Sequence, residues 1–69
     1  MTGAPDVAIV GMGYVGLTLA CTLADLGLNV WGYERNPEVV RQLRQGHSHI
    51  FEPGVDAILQ ARLGVNLTI

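Results

Sequence analysis

The chain holds one cysteine, Cys21, in 69 residues. It can form no internal disulfide. Charge is scarce too: Asp, Glu, Lys and Arg make up 14% of the sequence, and the net charge is −2. The four basic residues, Arg35, Arg41, Arg44 and Arg62, are scattered. That argues against the electrostatic footprint of a nucleic-acid binder. No apolar run approaches the roughly 18 residues that cross a bilayer. The start, Met1-Thr2-Gly3-Ala4-Pro5-Asp6, lacks the charged opening and long apolar core of a signal peptide. The expectation is therefore no nucleic acid, no membrane and a cytoplasmic location. Repeats and low-complexity segments are missing as well. Apolar residues make up 49% of the chain, too many for disorder. A chain this short forms at most one small domain and buries about 60% of its unfolded surface. Its high apolar content suggests that part of its surface awaits a partner.

What is abundant is glycine, and three glycines are specifically spaced. Val7 to Val10 is an apolar run that reads as a parallel strand buried on both faces. It leads into Gly11-Met12-Gly13-Tyr14-Val15-Gly16, a G-x-G-x-x-G pattern, and a helical pattern follows. This is a dinucleotide-binding fingerprint. Gly11 permits the tight turn out of the strand, Gly13 lets backbone approach a pyrophosphate, and Gly16 lets the helix pack closely on the strand. The helix start directs free N–H groups and the positive dipole end at the phosphates. Glu34 closes the next strand-like run, about 20 residues on, where an acid binds the adenosine ribose. Arg35 follows it. A lone fingerprint is weak, but strand before, helix after and acid downstream all agree.

The rest of the chain fits a β-α-β unit. Tyr14 to Leu26 reads as a helix with Val15, Thr18, Leu19, Leu23 and Leu26 at helical spacing, and Ala20 and Ala24 as small contacts on the sheet. Gly27 caps it, and Val30 to Tyr33 is a second strand. Asn36-Pro37-Glu38 is a helix start, with Asn36 as cap. Val39, Val40 and Leu43 form its apolar stripe, and Gly46 ends it. His47 to Pro53 is a loop. A third helix is expected over about Gly54 to Leu63, with Val55, Ile58, Leu59 and Leu63 inward. Val65 to Ile69 alternates like a half-buried strand. The fold class is α/β: a Rossmann-like dinucleotide-binding fold with a partial parallel sheet. A complete domain needs two such halves. Residues 1–69 are thus expected to be the N-terminal part of one, with Met1 to Asp6 frayed.

Two stretches carry a family resemblance. Gly-Met-Gly-Tyr-Val-Gly-Leu, residues 11 to 17, resembles the N-terminal domain of the UDP-glucose/GDP-mannose dehydrogenase family. Gly46-His47-Ser48-His49-Ile50-Phe51-Glu52-Pro53-Gly54-Val55 resembles that family's loop after the second helix. Their order and separation also agree. The resemblance implies an enzyme that oxidises the C6 alcohol of a UDP- or GDP-sugar to the carboxylate, with NAD as cofactor and oxidant. It implies that Gly11, Gly13 and Gly16, with Met12 and the backbone of Tyr14 and Val15, hold the pyrophosphate, and that Glu34 holds the ribose. The family usually has Asp there; Glu is longer and also only accepts. Some members carry a basic residue five positions later, where this chain has Val39. The family's catalytic cysteine, lysine and asparagine lie downstream of this stretch. No catalytic residue is expected here, and the 69 residues alone should catalyse nothing. A homo-oligomer is expected, with the edge at Val65 to Ile69 the place for self-association.

Rival readings stay open at this point. A flavin enzyme would share the strand, fingerprint, helix and ribose-binding Glu34. A non-catalytic nucleotide-binding module would share the fold. Arg35 could meet the 2′-phosphate of NADP, but Glu34 would repel that anion, which favours NAD. Cys21 reads as a packed thiol. His47 and His49 lack the further ligands that zinc requires, so no metal is expected. Glu52 and Asp56 read as acids favouring the start of the third helix. Trp31 reads as sheet packing. Tyr14 reads equally as packing or ligand contact.

Overall fold

The computed structural model describes residues 4–69. Met1 to Gly3, half of the expected frayed leader, lie outside the described residues. The other half is tied down. Asp6 accepts a hydrogen bond from the Asn29 amide at 2.8 Å, and the Asn29 side chain donates to the Ala4 carbonyl at 3.0 Å.

The elements run β1 (Val7–Val10), α1 (Tyr14–Asp25), β2 (Val30–Tyr33), α2 (Pro37–Arg44), α3 (Val55–Arg62) and β3 (Leu67–Thr68). The strands form one parallel sheet in the order β1-β2-β3. Val7 pairs with Val30 and Val10 with Tyr33, so β1 and β2 finish level. Both crossovers step the same way across the sheet. Right-handed crossovers of that kind put all the connecting helices on one face.

The sheet therefore has a covered face and a bare one. On the covered face Val30 and Leu67 meet Leu17, Ala20, Cys21 and Ala24 of α1, Leu43 of α2, and Val55 and Leu59 of α3. On the bare face Val10 is 80% exposed, Tyr33 63% and Trp31 45%. The expected burial of Val7 to Val10 on both faces does not occur. Val7 and Ile9 turn inward, while Ala8 and Val10 face out.

Two other expectations are corrected. The inward face of α1 is Leu17, Ala20, Cys21 and Ala24; Val15, Leu19 and Leu26 are exposed. The small residues set this face. A methyl group on Gly16 would lie 1.9 Å from the Gly11 carbonyl oxygen, so α1 seats on its glycine and alanine line. The last strand is also shorter than Val65 to Ile69. Gly64 takes a positive φ of 78°, and the amides of Val65 and Asn66 both bond back to the Arg62 carbonyl. The turn thus consumes Gly64 to Asn66, and pairing covers only Val30 with Leu67 and Trp31 with Thr68. The Asn66 side chain fixes that turn by donating to the Ala24 and Leu28 carbonyls, each at 2.8 Å. With β3 at two residues, the longer free sheet edge is that of β1.

Candidate dinucleotide site

The site is built where β1 and β2 end together. The Gly11 amide donates to the Tyr33 carbonyl at 2.7 Å, continuing the ladder into the turn. Gly11 has a φ of +92°, the left-handed conformation that glycine accepts without strain. This brings Met12 opposite Glu34. Glu34 Oε1 accepts from the Met12 amide at 2.8 Å, and Oε2 accepts from the Asn36 amide at 3.0 Å. Those two amides hold the Glu34 carboxyl below the usual carboxylate range, with smaller help from His49 and Arg35. Glu34 is thus an ionised acceptor fixed against the fingerprint.

The Met12 side chain goes the other way, into the core, and is fully buried. Gly32 makes room for it: a methyl group there would come within 2.8 Å of the Met12 sulfur. Met12 therefore faces the site only through its backbone. A glycine inside a four-residue strand signals such a close approach. Sequence reasoning left Gly32 unexplained.

Gly13 caps α1 with extended backbone, φ −75° and ψ −164°. Any residue can adopt that conformation. A methyl group on Gly13 would meet nothing within 4 Å. Neither conformation nor packing within the chain requires glycine there. The Cβ position there faces open space. The same helix start has no side-chain cap and no acidic residue in its first turn. Its first N–H groups have no acceptor inside the helix, and the dipole makes that end positive. The arrangement suits an anion brought close to backbone, and the fixed Glu34 beside it suits hydroxyl groups.

The remaining candidates differ. Val15 is 74% exposed in the first turn of α1. Tyr14, in the same turn, is half-exposed, and its hydroxyl donates to Glu52 Oε2 at 2.5 Å. That hydrogen bond, and then the Glu52 charge, raise the Tyr14 phenol above its ordinary value. Sequence reasoning missed this pairing and assigned Glu52 to the start of α3. Arg35 is exposed and lines a shallow hollow with Glu34, Pro37 and Val40. Val39 is partly buried against the core, so it offers no counterpart to a basic cofactor contact.

Cys21 is buried in α1, and burial, with the nearby Asp56 charge, pushes its thiol up to about 11. A thiol so protonated is a poor nucleophile. Asp56 accepts from the Ser48 amide at 2.8 Å, which lowers its pKa and ties the loop to α3. Among the described residues no group of three or more His, Cys, Asp or Glu is placed to hold a metal ion. Among the same residues no helix is long and apolar enough to cross a membrane.

Comparison with known proteins agrees with this geometry. Residues 5–69 match the UDP-glucose/GDP-mannose dehydrogenase family, NAD binding domain. A UDP-N-acetyl-D-mannosamine dehydrogenase of Pyrococcus horikoshii is 37% identical over 59 residues, covering 86% of this chain and 14% of that protein. A UDP-glucose 6-dehydrogenase of Pseudomonas aeruginosa is 42% identical over 57 residues, covering 83% of this chain and 13% of that protein. The solved structure of a UDP-glucose dehydrogenase from Pyrobaculum islandicum superposes with a TM-score of 0.84 at 39% identity, over 96% of this chain and 16% of that one. The chain thus spans a small part of the length of the relatives it matches.

Proposed function

The chain belongs to the UDP-glucose/GDP-mannose dehydrogenase family, within its NAD-binding domain, and we propose that it is the N-terminal part of that domain and holds NAD by its pyrophosphate and adenosine ribose. The observation that carries this is Gly13: an uncapped helix start with open space at the Cβ position, beside a carboxylate anchored to the fingerprint amide. The pyrophosphate takes the amides from Gly13 to Gly16, and Gly11 makes the turn that presents them. Met12 acts through its amide, which keeps Glu34 in place. Glu34 accepts from the ribose hydroxyls. Arg35 borders the nucleoside end of the site. NAD is preferred over NADP because the Glu34 carboxylate stands where a 2′-phosphate would bring a second negative charge.

In the longer protein, NAD supplies the hydride acceptor for oxidation of a sugar C6 alcohol to the carboxylate. The relatives compared are dehydrogenases of UDP-glucose and UDP-N-acetylmannosamine, so a nucleotide sugar is the proposed substrate class. A cytoplasmic location, where nucleotide sugars and NAD are made, goes with that reading. Self-association through the free sheet edges belongs to the same proposal. No observation favours a flavin.

The test is a titration of the chain with NAD and with NADP, followed in the backbone amide NMR spectrum. Shifts confined to Gly11–Gly16 and Glu34, at lower concentration for NAD, are expected. Dispersed peaks that stay still would overturn the proposal. For the longer protein, the corresponding assay is NAD reduction with UDP-glucose, UDP-N-acetylmannosamine and GDP-mannose in turn.

A further inference from the structure

The Glu-Pro-Gly stretch has no role in the site so far, yet it reaches it. Tyr14 and Glu52 are 38 residues apart, and the phenol hydroxyl donates to the carboxylate at 2.5 Å. This is the short end of the range for a hydroxyl bonded to an ionised oxygen, one of the stronger classes of hydrogen bond. The loop's contacts through Ser48 stay local, to Asp56 and to Ile50. The Tyr14 bond instead crosses to the first turn of α1. It ties a negative charge to a side chain of the first turn of α1, and among the described residues that is the helix start with neither a side-chain cap nor an acid of its own.

A carboxylate within reach of uncapped helix amides tends to bond to them, as the N-capping acids do. Here that outcome would defeat the site, because the amides would be taken before an anionic ligand arrived. The tyrosine ring prevents it by distance. The hydroxyl stands at the far end of the side chain from the helix backbone and holds Glu52 there. The charge at Glu52 is also partly satisfied by the donated proton, which weakens its repulsion of an incoming phosphate.

We propose that the Tyr14 hydroxyl captures the Glu52 carboxylate and so keeps the amides of Gly13 to Gly16 free for the pyrophosphate. Both are positioning residues, and the inference rests on the NAD reading above. Removing the hydroxyl frees the carboxylate to compete for the amides. Removing the charge as well abolishes the competitor.

The experiment is NAD affinity of four forms of the chain: parent, Tyr14→Phe, Glu52→Gln, and the double variant. Tyr14→Phe is expected to bind about fivefold more weakly, the size of effect of losing one ordinary net hydrogen bond at a half-exposed site. Glu52→Gln should stay within about twofold of the parent, since the amide oxygen still accepts from the phenol. The double variant should recover most of the loss. A purely structural role gives no such rescue. Unchanged affinity in Tyr14→Phe, or a double variant as weak as Tyr14→Phe, overturns the inference while NAD binding stands. A parent chain that is folded but blind to NAD removes the site itself, and this inference with it. Thermal melts of the four forms, expected to coincide, separate affinity from folding.

Discussion

Helices α1 and α2 begin in opposite ways. At α2, Asn36 Oδ1 accepts from the Glu38 amide at 3.0 Å, Pro37 occupies the first turn, and Glu38 adds a negative charge there. Every device that settles a helix start is supplied by the chain. At α1 none is. Forgoing a cap costs about 0.5–2 kcal/mol, a real fraction of the stability of so small a domain. Under the proposed function, the difference leaves the start of α1 to be completed by the bound ligand. Its glycines divide the same way: Gly16 is required because a Cβ there would lie 1.9 Å from the Gly11 oxygen, whereas Gly13 is required by nothing within the chain.

The largest effect is expected at Gly16. Gly16→Ala puts a methyl group into backbone that cannot move aside, and about 3 kcal/mol or more of stability should be lost. Circular dichroism melts check this; a variant that melts like the parent would show that α1 does not depend on close seating against the turn. Next comes Gly13→Asp, which gives α1 the kind of acidic cap it lacks. Melting temperature should hold or rise, while NAD affinity falls at least tenfold, about 1.4 kcal/mol. Calorimetric titration decides, and unchanged affinity in the folded variant would erase the distinction between the two helix starts. Asn36→Ala is the mirror experiment at α2. It should lower stability by about 1 kcal/mol and leave NAD affinity nearly alone, because the Asn36 amide that bonds Glu34 remains.

The smallest effect concerns Glu34 and acid. Its folded pKa is depressed, chiefly by the Met12 and Asn36 amides. Its contribution to stability is therefore full above the unfolded carboxylate value, about 4.3, and fades as pH falls through the lower folded value. Glu34→Gln should flatten the acid limb of a melting-temperature profile below about pH 5. The change will be slight, since the group is in partial contact with solvent and Asp56 and Glu38 titrate in the same direction. An acid limb identical to the parent's would mean that the two amides do not prefer the charged form.

Much of this was legible in the sequence because its causes are local. A glycine before a helix and an asparagine before a proline act on their immediate neighbours, while Glu34, whose bond to the Met12 amide spans 22 residues, is marked by its spacing from the fingerprint. Asn36 followed from its neighbours, and Gly11, Gly13, Gly16 and Glu34 from the fixed spacing of the fingerprint and its acid. The face of α1 did not. The helix is apolar nearly all round, so Val15, Leu19 and Leu26 read as part of its periodic stripe while Leu17, which is fully buried, did not. The deciding feature was the line of small residues, Gly16, Ala20 and Ala24, that allows close approach. The bare sheet face was hidden for another reason: coverage of a strand depends on where other elements run, and both crossovers pass on one side. The bond from Tyr14 to Glu52 joins two segments with no periodic relation, so only the folded chain brings it into view.

The bare face has an optical consequence. Trp31 is the single tryptophan of the chain and sits on that face beside Ala8. Its indole is half in solvent, so its emission carries the polarity of whatever lies against the sheet. A body that seats there and excludes water will move that emission to the blue, and the intrinsic fluorescence of the protein becomes a label-free gauge of when and how fully the second face is closed.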